Sequence, residues 1–165
     1  MSKFILEGID RLGKSTLANN IMSKLGYHLV IHYDKPKKLD VYDMKYTEPL
    51  KIYQQEVNIN MFNLIENANV PIIFDRGHLG ECVYAPIYRN YSGDYVYFLE
   101  DNHSLKDVKL VLLTTSNFDI CVNDGESFNF DNKEKEQDLF IKAFEKSKME
   151  KVIVDVYDQL TGKFK

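Results

Sequence analysis

One short segment limits what this chain can fold into. Gly8-Ile9-Asp10-Arg11-Leu12-Gly13-Lys14-Ser15 satisfies the pattern G-x-x-x-x-G-K-[ST]. Its glycines let the backbone curl until several N–H groups face one anion. A helix starting at the lysine adds the positive end of its dipole. The pattern therefore needs a strand running in and a helix running out. Phe4-Ile5-Leu6 is a short apolar run just before Gly8, and Leu17, Ile21 and Leu25 recur at helical spacing until Gly26. In this context Lys14 is expected to reach the β- and γ-phosphates of a nucleotide, and the Ser15 hydroxyl to ligate Mg²⁺. Asp10 and Arg11 sit inside the loop, where small spacers suffice. Either they decorate a surface turn, or Arg11 offsets charge on a transferring phosphoryl group while Asp10 orients the acceptor.

The rest of the chain alternates strands with helices. Strands are expected at His28 to Tyr33, Val70 to Phe74, Val108 to Leu113 and Val152 to Val156. Helices are expected over Pro49 to Ala68 and Lys133 to Lys146, with a broken helical stretch from Leu79 to about Leu99 interrupted near Pro86 and Gly93. On the first of these, Leu50, Tyr53, Val57, Met61, Leu64 and Ile65 form the apolar face. Asp34 to Thr47 reads as a mobile connection, and 116–132 as a polar loop. No linker or repeat interrupts the 165 residues, so one domain spanning 1–165 is expected. The pattern predicts an α/β three-layer sandwich on a five-stranded parallel sheet. Ligands of such sheets bind at the carboxyl ends of the strands, where Gly8, Asp34, Asp75 and Thr114 all fall.

Arginine usage points to a second site segment. Of 21 basic residues only Arg11, Arg76 and Arg89 are arginines, and a guanidinium fits phosphate oxygens bidentately where an ammonium does not. Asp75-Arg76 follows the third strand at once. Asp75 there can hold a metal-bound water, or it can cap the next helix with Arg76 paired to it. Arg76 and Arg89 are candidate ligands of an acceptor phosphate, and Arg89 fits equally well as a surface residue stacked on a tyrosine. His78 and Glu81 form an H-x-x-E fragment with no third metal ligand at suitable spacing. Among 11 Tyr and 10 Phe, Phe62, Tyr84 and Tyr88 are candidates to stack on a base, although aromatics at helical spacing are also core residues.

The bulk numbers exclude other classes. Net charge is −4, which argues against a stable nucleic-acid partner. The apolar run at the N-terminus is too short for a signal peptide or membrane span. Cys82 and Cys121 lack metal-ligand spacing and suit a reducing compartment. A cytoplasmic location, the host cytoplasm for a viral protein, is the expectation, with no membrane partner and a homodimer left open.

The stretch Phe4 to Thr16, with Arg11 inside its loop, resembles the opening of thymidylate kinases, and Asp75-Arg76 resembles that family's Asp-Arg pair. The resemblance implies a P-loop nucleotide kinase fold and phosphoryl transfer from ATP, with Mg²⁺, to a deoxynucleoside monophosphate such as thymidylate. The loop pattern and the strand-end carboxylate agree with it, giving ATP phosphate binding by Gly8, Gly13, Lys14, Ser15 and Thr16, and metal binding by Ser15 and Asp75. The resemblance carries contact with the ATP phosphates to Arg11, the grip on the acceptor phosphate to Arg76, and a place near the acceptor sugar and phosphate to Asp10; with Lys14 from the loop pattern, these are the catalytic candidates. The acceptor would meet Asp34, Phe62, Asp75, Arg76, Tyr84 and Arg89. The loop at 116–132 corresponds to a lid and contains no Arg, which fits the type in which the loop Arg does the lid's work. The stretch Arg76 to Arg89 also looks like short viral nucleotide kinases. Two features depart from the family. The helix before strand three offers Gln54, Gln55, Asn58 and Asn60 where an Arg is usual, and Glu48-Pro49 lacks the following glycines. Two other readings stay open: a nucleoside kinase using Asp34 as base on a 5′-hydroxyl, and a nucleotide-binding module without turnover.

Overall fold

The computed structural model describes residues 2–10, 12–33, 47–118, 132–158 and 163–164. Five strands form one sheet: β1 (Lys3–Glu7), β2 (Leu29–His32), β3 (Ile72–Asp75), β4 (Val108–Thr114) and β5 (Glu150–Asp155). Their order is β2-β3-β1-β4-β5 and every neighbouring pair is parallel, as the alternation of elements predicts. Parallel neighbours need crossovers. These include α1 (Lys14–Leu25), α2 (Thr47–Asn67), α3 (Leu79–Tyr84), α4 (Tyr95–Asp101) and α5 (Lys133–Lys146).

The period of two along each strand sorts side chains onto two faces. Leu6, Ile73 and Val111 pack with Ala18 of α1 on one face. On the other, Ile5, Phe74, Leu110 and Leu112 meet Phe62 of α2, Val83 of α3, Leu99 of α4 and Phe140 of α5. Phe62, Phe74 and Phe140 are fully buried, each worth roughly 2–3 kcal/mol of apolar burial. The strands' carboxyl ends lie along one edge, because Leu6 is level with Asp75 and Val111, and Thr114 with Asp155.

Three features differ from the sequence pattern. First, α2 does not bury one apolar stripe throughout. Met61 and Ile65 are buried, but Tyr53 is 57% exposed while Gln54 and Asn58 are buried. The first half of α2 borders a cavity rather than the sheet, so its polar side turns inward. Second, β2 is an edge strand and exposes Leu29 and Val30. Third, Tyr157–Asp158 pairs antiparallel with Lys163–Phe164 as a small separate ribbon, β6 and β7, too short to register as a periodic pattern. The helical stretch after β3 breaks as expected: residues Ala85–Arg89 form one π-helical turn with Pro86 near its start, and Asn90 ends it in the left-handed region. The connection at 34–46, and residues 119–131 of the expected lid, lie outside the described residues. No helix among the described residues is long and apolar enough to cross a membrane.

Candidate active site

The loop after β1 delivers the first half of the site. Gly13 adopts φ +90°, which an L side chain rarely tolerates, and it opens α1 without a side-chain cap. The first turn of α1 holds Lys14, Ser15 and Thr16 and no acidic residue, so the positive dipole end is left for an external anion. Ser15 and Thr16 are exposed, whereas Lys14 is buried. Its Nζ donates to the carbonyls of Gly8 at 3.2 Å and Ile9 at 2.9 Å. Burial, followed by the nearby Arg76 guanidinium, lowers the Lys14 pKa to about 8, against the pull of Asp10, Asp75 and Glu7. Arg11 lies outside the described residues.

The second half comes from the end of β3. The Arg76 backbone N–H donates to the Leu6 carbonyl at 3.0 Å. Arg76 then turns at φ 79°, a conformation costing roughly 1–2 kcal/mol for a residue with a Cβ. The turn is held by close contact. A Cβ on Gly77 would stand 2.3 Å from Ile5 Cγ2 and 2.9 Å from Glu7 Oε1, so only glycine fits. The Glu7 carboxylate also accepts the Leu79 N–H at 2.9 Å. Burial pushes the Glu7 pKa up, opposed by His78, the Leu79 N–H and Lys14. Arg76 does not pair with Asp75, as the helix-capping alternative required. Its Nη2 donates to Asp10 Oδ1 at 2.6 Å, tying the strand end to the phosphate loop, and its buried Nε has no partner. Among the described residues, Asp75 accepts from no arginine. Its Oδ2 lies 3.0 Å from His32 Nδ1, and its Oδ1 is buried without a partner.

Between these groups and α2 lies a cavity of about 690 Å³, within the range of small-molecule sites. Gly8 and Arg76 form part of its wall beside the phosphate loop, Tyr84 and Phe140 are apolar neighbours, and Gln54, Asn58, Glu81 and Arg89 line it further out. Arg89 is not stacked on a tyrosine. Its Nη1 donates to Glu81 Oε1 at 2.7 Å. Glu81 also accepts from the Tyr91 and Tyr95 hydroxyls, and Asn58 donates to Tyr95 at 2.8 Å. Gln54 is 9% exposed on the same wall.

Several sequence expectations change here. Phe62 is 0% exposed and packs edge-on against His78, with ring centroids 4.9 Å apart. It belongs to the core and is absent from the cavity wall, because the α2 face that carries it turns to the sheet. Tyr84 does reach the wall, with its ring edge-on to Phe140 at 5.8 Å. Tyr88 stacks near Tyr84 and its hydroxyl donates to Glu136 at 3.3 Å. His78 and Glu81 do not share a metal: His78 Nε2 is bonded to Glu100 Oε2 at 2.7 Å, and Glu81 holds Arg89. No cluster of three or more His, Cys, Asp or Glu suited to a metal occurs among the described residues. Asp34 lies outside them. Sequence reading did not assign Glu7, His32 or the Glu81 hub, since nothing local distinguishes them from ordinary strand and helix polar residues.

No family model matches the chain, and no curated protein matches it in sequence. Solved structures do match. Thymidylate kinase from Ehrlichia chaffeensis superposes with a TM-score of 0.59 at 15% identity, covering 96% of this chain and 88% of that one. The YorR protein of Bacillus subtilis, solved with phosphorylated GDP, gives 0.58 at 20% identity, covering 93% and 85%. Deoxyadenosine kinase from M. mycoides, solved with dCMP and a flexible dCDP, gives 0.57 at 16%, covering 93% and 90%. The fold is that of the P-loop nucleotide kinases. The cavity described above lies at the carboxyl ends of the strands, beside the loop after β1, where parallel sheets bind ligands.

Proposed function

We propose that this chain is a nucleotide kinase that moves the γ-phosphoryl group of ATP onto a deoxynucleoside monophosphate, with thymidylate the first acceptor to test. The observation that carries the proposal is Arg76. A strained turn aims its guanidinium between the phosphate loop and the cavity, tied to Asp10 by one nitrogen, with Nε unpartnered. An unpaired, buried N–H of a cation is costly unless an anion completes it, and an acceptor phosphate is such an anion.

The donor phosphates lie on the N-terminus of α1, where Lys14 leaves the loop carbonyls for the transferring group. Ser15 and Asp75 fit a Mg²⁺ ion: a hydroxyl at the helix start and a buried carboxylate oxygen with no protein partner suit a cation that keeps its waters and needs few protein ligands. Bound there, Mg²⁺ would neutralise charge on the transferring phosphoryl group. Arg11 is proposed to share that task from the loop, as the arginine-free segment 116–132 requires. The acceptor is already ionised, so the chain has to position it and needs no base. Gln54 offers a donor and an acceptor to the edge of a base, Tyr84 shapes the wall, and Arg89, held by Glu81, presents a second cation.

A nucleoside kinase is the second reading, favoured by the end of β2 lying on the cavity wall at His32 and Tyr33, next in sequence to Asp34. The test compares thymidylate with thymidine, and the corresponding adenine, cytosine and guanine pairs, by product chromatography for wild type and Asp34→Asn. The proposal expects diphosphate products and a kcat for Asp34→Asn within a few-fold of wild type. Turnover of nucleosides alone, with Asp34→Asn down by about 10²–10⁴, would replace it by the second reading.

A further inference from the structure

The geometry points to His32 as a positioning residue that sets the metal-side carboxylate of this site. His32 ends β2 and is the register partner of Asp75, so the two side chains leave the sheet on the same face. Their contact, Nδ1 to Oδ2 at 3.0 Å, fixes one carboxylate oxygen. The other, Oδ1, is left buried and unpartnered. Asp75 is close enough to Lys14 to raise its pKa, which places the carboxylate beside the phosphate loop. A carboxylate with neither oxygen held can rotate about its terminal torsion, which is broad and two-fold. With Oδ2 held by His32, that rotation is restrained and Oδ1 is the oxygen left for a cation. The protein donates this bond from a half-exposed ring: the His32 side chain is 46% accessible and Asp75 is 9%. Such outer partners of metal-site carboxylates typically change metal affinity by about 10–100-fold when lost.

This inference rests on the reading of Asp75 as the acid on the metal side, and the experiment separates the two. Mn²⁺ stands in for Mg²⁺, and its binding to the protein carrying a non-hydrolysable ATP analogue is followed by loss of the free-ion EPR signal. Wild type is compared with Asp75→Asn, His32→Leu and His32→Asn, because the Asn amide can donate from about the place of Nδ1. His32→Thr, a strand former too short to reach Asp75, is measured beside His32→Leu should the latter fold poorly. Analogue affinity is also measured with the metal chelated. His32→Leu and His32→Thr should weaken Mn²⁺ binding about tenfold and leave metal-free analogue binding unchanged. His32→Asn should restore Mn²⁺ binding to within about threefold of wild type. If Asp75→Asn loses Mn²⁺ affinity while both shorter His32 variants keep it, the positioning role is wrong and the metal reading stands. If His32→Asn is as weak as His32→Leu, the donor is irrelevant and the inference also fails. If Asp75→Asn binds Mn²⁺ like wild type, the metal reading and this inference fall together.

Discussion

Replacing Arg76 by alanine and by glycine separates what this residue costs the fold from what it gives the site. Both variants lose the 2.6 Å bond to Asp10, so that loss cancels when they are compared with each other. They differ in the Cβ, which alanine keeps at φ 79°. Holding a Cβ in the left-handed region costs roughly 1–2 kcal/mol. Glycine avoids that cost but gives the unfolded chain extra freedom worth roughly 0.4–1 kcal/mol. The net expectation is that Arg76→Gly is more stable than Arg76→Ala by about 0.5–1 kcal/mol, the reverse of the usual order. Urea denaturation at fixed pH reads this difference as a shift in midpoint at constant slope. In turnover assays both variants should behave alike. Losing a charge-assisted bond of roughly 1.5–3 kcal/mol lowers kcat/KM for the acceptor by about 10- to 150-fold. A glycine variant less stable than the alanine variant would refute the strained turn. An acceptor KM unchanged in both would refute Arg76 as the phosphate grip.

Lys14 titrates near 8 in the free protein, lowered by burial and by Arg76. Its charge is therefore present below that pH and lost above it, so kcat/KM for ATP should fall as pH rises past about 8. The limb in kcat should lie higher, because bound phosphate favours the ammonium. A pH profile of Lys14→Ala that keeps more than a tenth of wild-type turnover, or a wild-type kcat/KM flat to pH 9.5, would contradict the role given to Lys14. Gly77→Ala forces a methyl against Ile5 and Glu7 and should cost roughly 1–3 kcal/mol in urea melts, with a drop in kcat as the Arg76 turn shifts. An unaltered midpoint would show that the contact relaxes freely.

Much of the frame was legible along the chain. The glycine-lysine loop, the apolar runs and the helical spacings predicted five parallel strands, and the observed bounds of α5, Lys133–Lys146, agree with the expected ones. The placement of Lys14, Asp75 and Arg76 at the carboxyl-end edge of the sheet was legible too, because each stands at a fixed offset from a strand end. Phe62 was misplaced because helical spacing marks an apolar residue without saying whether it faces a sheet or a ligand. Gln54 and Asn58 look like solvent residues on α2 until α3 and the end of β3 form a cavity with them and Tyr95 of α4 accepts from Asn58.

The sequence by itself determined the order of elements and which residues end up at the ligand edge of the sheet, since both follow from local periodicity and from turn chemistry. Only the tertiary structure decided the pairings: Arg76 with Asp10 rather than Asp75, Arg89 with Glu81, His78 with Glu100, and His32 with Asp75. Three of these four bonds join residues 22 or more apart in the sequence, and Arg89 meets Glu81 across the π-helical turn. A side chain's partner in such cases is set by strand register and helix packing, which no local stretch of residues encodes.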